Sequence, residues 1–329
     1  MNQLISSSPT VLVLGAKGRF GTAAVNAFAA AGWQVRAQSR RADASYPAGV
    51  TAITADAMDS AALCAAAEGA DVVINGLSPL YTEWEELARD LADHALKAAK
   101  SSDALLMLPG NVYNYGRQIP SELDVDTPQV GDHAKARIRI EIEQQMRDAA
   151  DDGVSSLVVR AGDFFGGKVG GSWFDLVIAK SLKDEKLVYP GAPDVPHSWS
   201  YLPDLAQTFV HLAEQRALFV GAHTVHFDGH TLTGEQLHAE VEAVLGRPLK
   251  RATMPWGLVR LAAWFSPMLA ATLDMRYLWQ RAHRLNDSSL RQHLNSVPHT
   301  SLAQALAVSL NDLGLLPTRN KGASGLSNA

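Results

Sequence analysis

The most constraining feature of this chain is a glycine turn with a strand pattern on one side and a helix pattern on the other. Residues 11–14 (Val-Leu-Val-Leu) run into Gly15-Ala16-Lys17-Gly18-Arg19-Phe20-Gly21, and an alanine-rich helical stretch over 22–31 follows. In that order, the first glycines allow a tight turn and close approach of a pyrophosphate, while the last allows close helix packing. The start of the helix adds amide donors and the positive end of its dipole. The motif therefore predicts a dinucleotide cradle, with Gly15, Lys17, Gly18, Arg19, Phe20 and Gly21 as candidate contacts; the alternative is a plain turn before a helix.

Short aliphatic runs alternate with helical patterns through the first half. Strands are expected at 11–14, 34–38, 50–54, 71–75, 104–108 and 155–160, and helices at 22–31, 59–67, 84–99 and 133–150. Crossovers of that length join parallel strands, so the expected fold class is α/β, a Rossmann-type doubly wound parallel sheet. After residue 160 the pattern loosens into glycine-rich loops, a strand at 224–227, helices at 205–215 and 234–245, and a helical segment from 256 to about 286 divided by Pro267. Thr233 and Gln236 have capping-box spacing. The expected organisation is a dinucleotide-binding domain over 1–160, a smaller, mainly helical C-terminal substrate lobe over 161–318 with some chain returning to the sheet, and a disordered tail over 319–329.

The second strand should end near Ser39, where a carboxylate would take the adenosine ribose hydroxyls of NAD(H). This chain has Ser39-Arg40-Arg41 instead. A guanidinium there suits the 2′-phosphate of NADP(H), making NAD(H) the lesser expectation, and Arg19 could add to the same positive corner; the alternative is a pair of solvated loop arginines. Asp56 follows the third strand, either to accept from the adenine amino group or to cap the next helix. Asn75-Gly76-Leu77 ends the fourth strand at the carboxyl edge, where ligands of such sheets bind.

Composition narrows the partners. Of 329 residues 19% are charged and the net charge is −5, with no basic run beyond Arg40-Arg41, which argues against nucleic acid. A single cysteine, Cys64, excludes an internal disulfide, fits a reducing cytoplasm and sits in an alanine-rich stretch that suggests apolar burial. The start of the chain lacks a signal-peptide pattern, and the most apolar late segment, 258–273, is interrupted by Arg260 and Pro267, so neither export nor a membrane span is expected. That segment reads as helices packing within the protein or between the subunits of a homodimer. The histidines have no metal-ligand spacing.

Several segments taken together resemble the short-chain dehydrogenase/reductase superfamily, in its extended or atypical branch of NAD-dependent epimerase/dehydratase-like and NmrA-like proteins. Gly15-x-x-Gly18-x-x-Gly21 has the spacing of that branch, Asp56 and Asn75-Gly76 match its adenine-side and ribose-side positions, and Tyr115-Gly116 matches its Tyr-Gly pair. Lys135 matches its active-site lysine, Arg160-Ala-Gly-Asp163 with Phe164-Phe165-Gly166 its sixth-strand loop, and Tyr201-Leu-Pro-Asp204 the start of a late helix. The resemblance implies an NADP(H)-dependent oxidoreductase for a small carbonyl-type or other reducible organic substrate, a non-catalytic NADP(H)-binding redox sensor, or a nucleotide-sugar epimerase or dehydratase. Two departures bear on the choice: the family serine or threonine falls at Asn111, and its Tyr-x-x-x-Lys motif reads Gly131-Asp-His-Ala-Lys135. Tyr113, His133 and Lys135 are the candidates to replace the missing proton donor; otherwise Tyr113 packs below the cofactor, His133 is an exposed first-turn residue and Lys135 only holds the ribose. Tyr81, Asp163, Phe164, Phe165 and Trp199 are expected to bound an apolar substrate cavity, with ordinary core packing as the competing role for the aromatics and a turn cap for Asp163.

Overall fold

The computed structural model describes residues 8–41, 46–168 and 170–316. Seven strands form its central sheet: β1 (Thr10–Leu14), β2 (Gln34–Ser39), β3 (Val50–Thr54), β4 (Val72–Asn75), β5 (Leu105–Gly110), β6 (Ser156–Ala161) and β10 (Ala222–Phe227). All neighbours in the order β10-β6-β5-β4-β1-β2-β3 pair in parallel, which makes this a Rossmann-type doubly wound sheet. Helices cover both faces, so the central strands are apolar on both sides. Leu12 and Leu14 enter one core beneath α2 (Ser60–Ala67), α3 (Trp84–Ser101) and α4 (Ala134–Asp148). Val11 and Val13 enter the other beneath α1 (Arg19–Ala30) and α5 (Leu202–Glu214). The small side chains Ala88, Ala92, Ala95 and Ala99 on the inward face of α3 let that helix lie close to its neighbours.

The lobe is less helical than the sequence suggests. A three-stranded sheet joins β7 (Asp163–Phe165), β9 (His197–Tyr201) and β11 (His230–Leu232), and β8 (Lys186–Tyr189) pairs with β12 (Lys250–Thr253). Each strand is short and pairs over a long sequence distance, which leaves little local periodicity to read. Their aromatic core includes Phe165, Phe174, Trp199 and Trp279, closed by α6 (Gly234–Leu245) and α9 (Leu302–Asp312). The Thr233–Gln236 capping box is present at the start of α6. The late apolar segment forms α7 (Trp256–Ala262) and α8 (Pro267–Leu273), neither with a fully buried residue; Trp264 and Phe265 between them are 82% and 87% exposed. Among the described residues no helix is long and apolar enough to cross a membrane. Cys64 is half-buried on α2, more open than expected. The tail over 319–329 lies outside the described residues.

Candidate functional site

The glycine turn is built into the core. Gly15 has φ +69°, and a Cβ on it would fall 2.7 Å from the Gly76 carbonyl oxygen. On Gly21 a Cβ would stand 2.1 Å from the Gly15 carbonyl oxygen, and on Gly76 2.7 Å from that of Leu14. Gly15, Gly21 and Gly76 therefore hold the ends of β1, α1 and β4 against one another. Gly18 differs: its φ is an ordinary −66°, its nearest neighbour is the Gly15 oxygen at 3.2 Å, and it is exposed. No side chain among the described residues caps the first turn of α1, so the Arg19 and Phe20 end of the helix keeps the arrangement of backbone amides that can take an anion. Gln38 fixes the turn from beside it, accepting from the Gly15 amide (2.9 Å) and donating to the Ala55 carbonyl (2.7 Å). Lys17 lies half-buried in the turn.

Arg19 does not join the expected positive corner. As the first residue of α1 it reaches across to the lobe, donating to Asp175 (2.7 Å) and to the Gly166 carbonyl (3.1 Å). The corner at the end of β2 consists of exposed Arg40 and Arg41, with the Ser39 hydroxyl donating to the Arg41 carbonyl (2.7 Å). Asp56 is exposed and accepts from the Met58 amide at 3.0 Å; the cap of α2 is Asp59 instead, accepting from Ala62. Asn75 is buried and accepts from Leu77 (3.2 Å), which folds the chain over at Gly76.

On the substrate side the structure brings Tyr81, Tyr113 and Lys135 together. The two phenol oxygens lie 2.9 Å apart, and the Lys135 ammonium sits 4.9 Å from the centre of the Tyr81 ring while donating to the Ala271 carbonyl of α8 (3.4 Å). Burial pushes Tyr113 well above the ordinary phenol range and Tyr81 up as well, so both keep their protons at neutral pH. Burial also lowers the Lys135 amine. Asn111 accepts from the Tyr113 amide (3.0 Å), shaping the turn that presents this tyrosine.

His133 is a buried N-cap, not an exposed first-turn residue. Its Nδ1 accepts from the Ala136 amide (3.3 Å), so the proton resides on Nε2, 3.2 Å from the Tyr277 hydroxyl; burial lowers its pKa. Position 131 precedes the helix, is exposed, and a Cβ there would meet Arg137 at 3.0 Å. The residue that faces the site one turn from Lys135 is instead Arg139, whose guanidinium stacks 4.9 Å from the Trp84 ring. It was not among the sequence candidates.

Of the expected cavity walls, Tyr81 and Asp163 are at the site. Phe165 and Trp199 are only 2% exposed and belong to the lobe core, and Phe164 packs partly buried near Phe20, their rings 6.5 Å apart. Asp163 is not a turn cap; its carboxylate is 2.8 Å from Nε2 of His197. That imidazole stacks flat on Trp279 at 4.1 Å, and its Nδ1 meets the Leu278 carbonyl at 3.2 Å. Behind the site, Arg160 binds Glu143 (3.3 and 2.5 Å) and the Tyr115 hydroxyl (2.8 Å), which in turn lies 2.9 Å from His226.

The sequence model of the NmrA-like family matches residues 7–275. Comparison with curated proteins finds no match. Similar solved structures include the UDP-glucose 4-epimerase of Bifidobacterium longum in complex with NAD+ and UDP, at 17% identity and TM-score 0.73 over 93% of this chain and 98% of that one. The UDP-glucose 4-epimerase of Brucella ovis in complex with NAD aligns at 16% identity and TM-score 0.72, over 92% and 97%. The UDP-N-acetylglucosamine 4-epimerase of Bacillus cereus aligns at 12% identity and TM-score 0.72, over 94% and 99%. At these identities the likeness concerns the fold.

Proposed function

Because the chain belongs to the NmrA-like family, we propose that it is an NADP(H)-dependent oxidoreductase for a small carbonyl-type or other reducible organic substrate. The observation that carries this reading is the meeting, at the carboxyl edge of one parallel sheet, of an uncapped helix start behind exposed Gly18 with the Tyr81–Tyr113–Lys135 cluster. The cradle fits a dinucleotide, since Gly18, less tightly set against backbone than Gly15, Gly21 and Gly76, is the glycine a pyrophosphate needs bare. When bound, the reduced nicotinamide supplies a hydride to the substrate carbon. Asn111 orients Tyr113, whose phenol supplies the proton that the developing alkoxide takes, and Tyr81 is placed to re-protonate it. Lys135 holds ribose hydroxyls and adds positive charge beside the phenols. Preference for NADP(H) rests on the two guanidinium groups of Arg40 and Arg41, both exposed at the end of β2 where a 2′-phosphate would lie; two of the neighbours are named as NAD complexes, which supports the nicotinamide dinucleotide class.

One observation favours a second reading, a redox sensor that binds NADP(H) without turnover. The position four residues before Lys135 carries no phenol and lies off the helix. The same observation tells against epimerisation of a nucleotide sugar. Calorimetry with NADPH and NADH, followed by a carbonyl, quinone and enone screen for loss of reduced-nicotinamide absorbance, tests the proposal. NADPH should bind at least about tenfold more tightly, and Arg40→Asp should erase the difference. Equal affinities refute the NADP(H) assignment, and binding without any oxidation of NADPH hands the case to the sensor.

A further inference from the structure

Lys135 and Arg139 stand one turn apart on α4 and reach rings that themselves meet edge-on, Tyr81 and Trp84, at 5.9 Å. Their bonding differs. Lys135 has the Ala271 carbonyl, whereas among the described residues Arg139 has no hydrogen bond and no ion pair, and its Nε is shut off from solvent without a partner. The carboxylate one turn further along the helix, Glu143, is taken at both oxygens by Arg160. A guanidinium nitrogen withdrawn from water without a hydrogen-bond partner is destabilising, and burial lowers the pKa of the group although the charge of nearby Glu143 opposes the shift. Arg139 also lines a cavity of about 20 Å³ with Asn75, Leu77, Ser78 and Trp84, at the carboxyl edge of β4. That is space for roughly one water-sized group.

We propose that Arg139 is an anion-binding residue of the site, taking an anionic carboxylate or phosphate oxygen from the molecule bound between the end of β4 and α4. The planar guanidinium is suited to such an oxygen, and the bond would give its charge the hydrogen-bonded anion that no side chain among the described residues supplies. The inference rests on reading this cleft as the cofactor and substrate site. It makes the preferred substrate acidic if the oxygen is the substrate's, and adds a cofactor contact if it is the dinucleotide's.

The test compares wild type, Arg139→Met and Arg139→Lys by thermal unfolding without ligand and by calorimetry with NADPH, inorganic phosphate, and benzoate at saturating NADPH. Without ligand, Arg139→Met should melt no lower than wild type, because it deletes a partly buried charge that makes no hydrogen bond among the described residues. Its affinity for the probe that supplies the oxygen should fall about 10- to 100-fold, with partial recovery in Arg139→Lys. Loss with NADPH alone assigns the oxygen to the cofactor, and loss confined to benzoate assigns it to a carboxylate substrate. If wild type binds neither nicotinamide dinucleotide but Arg139→Met still loses phosphate or benzoate, the anion site stands and the oxidoreductase reading falls. Wild-type affinity of Arg139→Met for every probe overturns the inference, as does a wild type that binds none of them.

Discussion

Two glycines three residues apart should fail in opposite ways when each is replaced by alanine. On Gly21 the new methyl would lie 2.1 Å from the Gly15 carbonyl oxygen, 2.8 Å from its carbon and 2.9 Å from the Ala16 Cα. Every one of these is backbone, in a turn whose φ of +69° is already fixed by the approach of Gly76, so no rotamer change relieves the clash. Overpacking of side chains costs about 1 to 3 kcal/mol, and an unrelievable backbone clash belongs at or beyond the upper end, about 3 kcal/mol or more. At about 1.5 °C per kcal/mol for a chain of this size, Gly21→Ala should melt at least roughly 4 °C lower. Gly18→Ala meets its nearest atom at 3.2 Å with φ −66°. It should stay within about 1 kcal/mol of wild type, since an allowed backbone and a stiffer unfolded chain offset the contact, yet lose dinucleotide affinity because its methyl enters the cradle. Thermal unfolding by circular dichroism and calorimetry on the two variants separate the roles. Equal stability of Gly21→Ala and wild type, or a comparable loss in Gly18→Ala, would refute the division between a structural and a ligand-facing glycine.

Tyr113→Phe should leave dinucleotide affinity unchanged and lower kcat about 10²-fold or more if its phenol is the proton source; an unaltered kcat in steady-state assays removes it from the chemistry. Acid should weaken the fold through His226, whose pKa burial beside Arg160 depresses to about 4 from 6.5. The unfolded chain takes that proton first, so stability is complete above pH 6.5 and falls with pH down to about 4, by roughly 3 kcal/mol in total. Denaturant melts across that range should show one proton less of pH slope in His226→Gln, and parallel slopes would show that His226 does not titrate there.

The sheet was legible because its strands are buried on both faces and its glycine turn sits between two regular elements, so local pattern and tertiary role coincide at Leu12, Leu14 and Gly15. The site was less so, because side-chain direction is a tertiary property. Arg19 belongs to the motif by spacing, but the strongest anion within its reach, Asp175, is 156 residues away on the lobe. In Arg137-Ile-Arg139-Ile the two arginines look interchangeable, yet one is exposed and the other lies over Trp84 beneath the cleft. Phe165 and Trp199 illustrate the reverse: their chemistry suits a substrate wall, and only the pairing of two short strands turns them into core.

The pair α7 and α8 buries no residue completely, although the Ala271 carbonyl of α8 is the hydrogen-bond acceptor for the Lys135 amine. Native proteins open first where least apolar surface is sealed. Amide hydrogens of 256–273 should therefore exchange well before those of the central sheet, through partial opening that leaves the seven strands intact. The amine would exchange its carbonyl partner for water during such excursions, so the chemistry of Lys135 is sampled on the timescale of that local breathing and not on that of global unfolding.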